Sequence, residues 1–245
     1  VSDGAGAAGA PAAPGGVPVA VVVVAMEPEA APFLALADAV GVSRTVGHAA
    51  HTDLVLAGRT VRLVRSGIGQ VAATAAAVLA LHELGPVPLV SAGSAGGLAA
   101  GVHVGDVVVG TRYRFAGADA TAFGYAPGQI PGQPVAFEGA AALVAAGAAA
   151  TIDDGAVRPG EIIAGDAFVD ARTVEQFRHR FPKALATDME TTALAEVAAL
   201  MGAPFVSVRG ISDLCGPAAG DDFRTHVDDA ADRSAAVVRA VIAGL

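Results

Sequence analysis

Residues Val19–Ala25 contain only Val and Ala. A run with no polar residue to turn toward water fits a central strand covered on both faces, as in a largely parallel sheet between helices. It is far shorter than the ~18 apolar residues of a membrane span. Pro18 stands just ahead, at a strand start where a missing N–H is tolerated. Ala-rich stretches alternate with further short apolar runs. The expected helices are 27–40, 70–84, 137–150, 172–180, 193–201 and 227–245. The expected strands are 88–92, 105–110, 112–115, 158–164, 184–187 and 204–208, with a hairpin of 51–56 and 60–64 around Ala57–Gly58–Arg59. This alternation predicts one large α/β domain over residues 17–245, and a chain of 245 residues can bury a full core.

Composition narrows the function. Residues 1–16 are mostly Ala, Gly and Pro, lack the basic start of a signal peptide, and read as a disordered tail. One cysteine excludes an internal disulfide and fits the cytoplasm. A net charge of −9 disfavours sequence-independent nucleic-acid binding. The six histidines are scattered, with no His-x-x-x-His on a helix and no cysteine pair, so no metal site is expected, and no cofactor is expected either.

Open α/β sheets place ligands beyond the carboxyl ends of their strands, and the residues there are informative. The first strand delivers Met26, Glu27 and Glu29. Ser66–Gly67–Ile68–Gly69 reads as a tight strand-to-helix turn, not a triphosphate loop, having no third Gly and no Gly-Lys-Ser/Thr. The strand at 88–92 runs into Gly93–Ser94–Ala95–Gly96–Gly97, whose small residues let backbone approach a ligand closely. This is either a ligand loop or a plain Gly turn, and its surroundings do not read as a serine-nucleophile elbow. Later strands deliver Phe168 and Val169, then Asp188–Met189–Glu190, then Arg209, Ser212 and Asp213. Each has an ordinary structural use. Thr187 and Glu190 have capping-box spacing, Glu27 and Glu29 suit a helix N-terminus, and Asp213 suits a cap or turn. Phe168 suits a core, and Arg209 suits a counter-ion for Glu29 or Glu190.

Taken together, the stretches 25–29, 66–70, 92–98, 104–108, 119–132, 165–169, 187–193 and 208–213, with Phe223, resemble the bacterial 5′-methylthioadenosine/S-adenosylhomocysteine nucleosidases of the nucleoside phosphorylase superfamily. The resemblance spans about residues 19–245. It implies a three-layer α/β/α fold with a central twisted mixed sheet, and hydrolysis of a purine N-glycosidic bond. It also implies that Asp213 protonates N7 of adenine, with a pKa raised by burial and tuned by Ser212. Glu190 holds the ribose hydroxyls near the developing cation. Glu29, not Glu27, activates water with Arg209 and Ser94. Ala95 and Gly96 belong to the ribose loop, Met189 packs on the ribose face, and Met26, Asp188 and Phe223 complete the substrate contacts. Phe168 stacks on the purine while backbone at Val169 reads its edge. The loop 119–132, carrying Phe123, Tyr125 and Pro131, crosses a homodimer interface into the neighbour's pocket.

Glu27 and Glu29 at the pocket front, without a Gly-Asp-Pro-x-Arg-like stretch, favour water over phosphate as the nucleophile. The chain departs from the family pattern at Asp188, at Thr191–Thr192 and over 214–220. A futalosine or aminofutalosine hydrolase is the alternative enzyme. A non-catalytic relative, such as a storage protein of the same fold, is the alternative of another class.

Overall fold

The computed structural model describes residues 14–245, so residues 1–13 of the expected tail lie outside the described residues. Among the described residues, eleven strands and six helices follow one another along the chain. β1 (Val21–Val24), α1 (Glu27–Leu36), β2 (Ala39–Val40), β3 (Arg44–Val46), β4 (Ala49–Leu56) and β5 (Arg59–Arg65) form the first part. α2 (Gln70–Leu84), β6 (Leu89–Gly97), β7 (Val107–Phe115), β8 (Phe137–Glu138), α3 (Ala141–Ala148) and β9 (Val157–Ala164) follow. α4 (Val174–Arg180), β10 (Ala184–Asp188), α5 (Thr191–Met201), β11 (Phe205–Asp213) and α6 (Ala219–Ala243) complete it.

Among the described residues all strands belong to one mixed sheet; nine follow the order β10-β9-β7-β11-β6-β1-β5-β4-β2, with β3 paired to β4 and β8 to β7. β1 runs parallel to both β5 and β6, and Val21–Val24 are at most 1% exposed. Its unbroken apolar run is therefore explained by cover on both faces. On one face α2 and α5 pack with Val21, Val23, Leu89 and Ile211. On the other, α1, α3 and α6 pack with Val22, Val24, Val206 and Val208. The result is the expected three layers.

Sequence reasoning placed a loop after Ala92. Instead β6 continues to Gly97, pairing parallel with β11 as far as Gly96, while Gly96 and Gly97 also pair antiparallel with Thr187 and Ala186 of β10. Strands β6, β11, β7, β9 and β10 thereby close on themselves, and the sheet is not open. Small residues permit this: a Cβ on Gly97 would lie 2.9 Å from the Leu214 side chain. Closure gathers the ends of β6, β10 and β11 beside the end of β1.

Other boundaries moved for local reasons. α1 stops at Leu36, not near Val40, because Ala39 and Val40 pair with β4 as an edge strand. Phe137 and Glu138 pair with β7, so α3 starts only at Ala141. The expected gap at Thr111 is a register irregularity between Gly110 and Arg112 inside one continuous strand. α4 begins at Val174; the polar residues before it form turns in which the Asp170 carbonyl accepts from Thr173 and Val174. α6 starts at Ala219, well before Val227; its first turns are polar and carry no apolar stripe that would mark them in the sequence.

Candidate active site

Glu29 sits in the first turn of α1 and is 2% exposed. One carboxylate oxygen accepts the N–H groups of Ala25 at 2.9 Å and Met26 at 3.2 Å, closing the helix N-terminus. The other accepts both the amide of Ser94 at 2.9 Å and its hydroxyl at 3.0 Å. The helix-terminus use and the site use of this residue therefore coexist. Gly93 makes the approach possible. Its φ is +136°, and a Cβ there would fall 2.3 Å from a Glu29 carboxylate oxygen.

The capping reading of the 187–190 stretch is corrected by the geometry. Thr187 is a β10 residue paired with Gly96. Asp188 performs the capping: its Oδ1 accepts the amides of Glu190 at 2.9 Å and Thr191 at 2.8 Å. Thr191 also donates its hydroxyl to Asp188. This leaves the Glu190 carboxylate free of its own helix, and it accepts the Gly69 amide at 2.8 Å, from the turn before α2. Burial pushes the Glu190 pKa up to about 7, against the pull of the Arg209 charge.

Arg209 is 2% exposed on β11. Its guanidinium lies 3.0 Å from Asp188 and 3.6 Å from Glu190, and donates to the Ser91 hydroxyl at 2.6 Å. Burial opposes its charge, but the surrounding carboxylates prevail and hold its pKa above the usual value. Sequence reasoning set Arg209 beside Glu29 as a partner in orienting water. The structure places it behind the cavity wall, paired with Asp188 and with Glu190, in line with the counter-ion reading for Glu190 and not with a place beside Glu29.

Asp213 ends β11 and is 2% exposed. Cys215 N–H donates to its Oδ1 at 2.9 Å, and the Ser212 hydroxyl lies 3.0 Å from its Oδ2. Burial raises its pKa, while those two donors pull the other way. This is the direction expected from sequence, with Ser212 as one tuning contact.

These groups face one cavity of about 190 Å³. Met26, Glu29, Ser94, Ala95, Gly96, Phe168, Val169, Asp188, Met189, Glu190, Ser212, Asp213 and Phe223 all line it. Phe168 is 47% exposed and meets Phe223 edge-on, with ring centroids 6.0 Å apart, so it is not a core residue. The lining contains four carboxylates and no Lys, Arg or His. Phe123, Tyr125 and Pro131 do not line their own chain's cavity. Phe123 is 83% exposed and ends the short 3-10 turn Thr121–Phe123. Among the described residues no group of His, Cys, Asp and Glu could hold a metal ion, and no helix is long and apolar enough to cross a membrane.

A sequence model of the phosphorylase superfamily matches residues 19–243. The chain is also similar to a solved 5′-methylthioadenosine/S-adenosylhomocysteine nucleosidase from Neisseria meningitidis in complex with methylthio-immucillin-A. That match has 35% identity and a TM-score of 0.87, covering 92% of this chain and 99% of that one. The chain belongs to the phosphorylase superfamily, in its methylthioadenosine/S-adenosylhomocysteine nucleosidase family. The nucleosidase from Colwellia psychrerythraea 34H, in complex with adenine, is 33% identical with a TM-score of 0.88, covering 92% of this chain and 95% of that one. The Streptococcus pneumoniae nucleosidase, with a transition-state inhibitor, is 32% identical with a TM-score of 0.85, covering 92% and 98%.

Within this nucleosidase-family site, sequence reasoning missed Ala25, Ile68, Ala167, Thr187 and Cys215 in the lining. It also missed the Gly69 amide that holds Glu190. Gly69 was visible as a turn glycine, but nothing local reveals a partner 121 residues away. Cys215 stands in the segment that departs from the family pattern. Its φ of +56°, rare for a residue with a side chain, turns its amide onto Asp213.

Proposed function

We propose that this chain hydrolyses the N-glycosidic bond of 5′-methylthioadenosine and S-adenosylhomocysteine, releasing adenine and the 5′-thio-ribose. The observation that carries the reading is the convergence of Glu29, Glu190 and Asp213, far apart in sequence, on one cavity with an exposed Phe168 at its wall. The N. meningitidis and C. psychrerythraea relatives, solved with methylthio-immucillin-A and with adenine, support it.

Cleavage requires a proton for the leaving purine, stabilisation of a ribosyl cation, and water aimed at C1′. In this reading adenine stacks on Phe168, with its edge at the Val169 backbone. Asp213, its pKa raised by burial, carries the proton to N7. Glu190 accepts the ribose hydroxyls and sets negative charge near the cation. Met26 and Met189 pack against the sugar. Glu29, fixed by Ser94, takes the proton of the attacking water. Arg209 works from behind, holding Asp188 and Glu190 in place.

The cavity wall also favours water over phosphate. A phosphorylase needs a cationic cradle for a dianion, and this lining offers carboxylates with no cation. Glu27 contributes less than its sequence position implied, because it is paired with Arg65. The reading extends to a homodimer in which loop 119–132 completes the neighbour's site, to a cytoplasmic location, and to methionine salvage.

Product analysis tests the reaction. Purified protein with methylthioadenosine is expected to release free methylthioribose at the same rate with and without phosphate. Formation of the sugar 1-phosphate would make it a phosphorylase. Preference for a futalosine over both thio-nucleosides in a competition assay would move the substrate assignment.

A further inference from the structure

A second, more open cleft of about 650 Å³ adjoins the catalytic cavity, and Ala25, Met26 and Ile68 line both. Beyond that apolar neck the wall changes character. Glu27 and Arg65 stand there as an ion pair, with side chains 64% and 42% exposed, and Thr45 and His48 also line the cleft. Glu27 opens α1 and Arg65 ends β5; the two meet because Val24 and Arg65 are register partners in parallel strands.

We propose that this cleft is the subsite for an α-amino-acid group on the 5′ substituent, with Arg65 receiving the carboxylate and Glu27 the ammonium. The inference rests on the hydrolase reading of the adjoining cavity and deepens it. With Phe168 and Asp213 around the base and Glu29, Ser94 and Glu190 around the ribose, the 5′ carbon leaves past Met26 and Ile68. A methylthio group ends at that neck and needs only its apolar surface. A homocysteinyl group continues and brings one anion and one cation with it. The cleft presents one fixed charge of each sign, so insertion of the zwitterion exchanges a single internal pair for two charge-assisted contacts. The catalytic lining itself has no cation for the carboxylate. An exposed pair of this kind adds little to stability, so it can be altered without unfolding the protein.

The test compares kcat/KM for S-adenosylhomocysteine and methylthioadenosine in the unaltered enzyme and in Arg65→Gln, Glu27→Gln and Arg65→Glu. Each neutral substitution is expected to lower the ratio of the two values about fivefold, through KM for the homocysteinyl substrate, and the charge reversal about twentyfold. A substrate analogue lacking the α-carboxylate is expected to discriminate in the unaltered enzyme but no longer in Arg65→Gln. Ratios within twofold of the unaltered enzyme in all three variants would overturn the subsite while leaving the hydrolase reading intact. Release of adenine from neither nucleoside by the unaltered enzyme would overturn both.

Discussion

Ser94 donates its amide and its hydroxyl to the same carboxylate oxygen of Glu29, at 2.9 and 3.0 Å. With Ala25 and Met26 bound to the other oxygen, Glu29 is held on both sides in a wall where it is almost wholly buried. A base that must aim one water at C1′ gains from such fixing, because misplacement by even ~1 Å costs on the order of 100-fold in rate. Ser94→Ala removes the hydroxyl but keeps the amide. Its kcat is expected to fall about 10- to 100-fold with KM little changed, whereas Glu29→Gln should fall at least 1,000-fold. Equal losses in the two variants would show that the serine does more than orient.

Asp213 acts only when protonated, so its contribution is lost as pH rises through its pKa. Burial places that pKa above the ordinary aspartate range, which extends activity toward neutrality. Asp213→Asn is expected to lower kcat with methylthioadenosine by about 100- to 10,000-fold. A 5-thioriboside with a p-nitrophenolate leaving group needs no such proton, and its turnover by the variant should fall less than about tenfold. Parallel losses on both substrates would deny the acid role.

Phe123 exposes 83% of its surface on the 119–132 loop, and Val71, Val78 and Leu79 are exposed along α2. A partner subunit covering these side chains would account for them. Sedimentation of the purified protein is expected to give a dimer. Phe123→Asp should weaken it and raise KM for methylthioadenosine about tenfold or more, since the neighbour's pocket loses an apolar wall. A monomer with full activity would refute the shared site.

The sheet and its helices were legible because their signals are local. The Val19–Ala25 run is an unbroken apolar stretch and 70–84 is a run of strong helix formers, while Glu29, Asp188, Glu190 and Asp213 at the strand ends line one cavity. What stayed hidden was set by contacts distant in sequence. β6 looked like strand then loop, since five small residues in a row have no strand propensity; it is pairing with β10 and β11 that extends it. Asp188, not Thr187, caps α5 because Thr187 is already engaged in the sheet. Arg209 was placed in the right cluster, but its partner followed from where Asp188 pointed. The polar start of α6 showed no stripe because its first turns bury little.

Glu190 offers a test that separates its functional role from a structural one. Its pKa is raised from the ordinary glutamate value to about 7, chiefly by burial, so the folded protein holds that proton more tightly than the unfolded chain. Between about pH 4.5 and 7 the native state therefore binds more protons, and stability falls as pH rises across that window. Above it, an ionised Glu190 leaves a standing cost on the order of 3 kcal/mol. Glu190→Gln keeps the shape and removes the charge. The variant should be inactive on methylthioadenosine, yet more stable than the unaltered protein at pH 8 by about 1–3 kcal/mol, less whatever Arg209 loses with its 3.6 Å partner. At about pH 3, well below both pKa values, both states are protonated and the gain should vanish. Denaturant unfolding at the two pH values measures this directly. A variant destabilised at pH 8 would mean that the ion pair with Arg209 outweighs burial, and that Glu190 is kept for the fold as much as for the ribose.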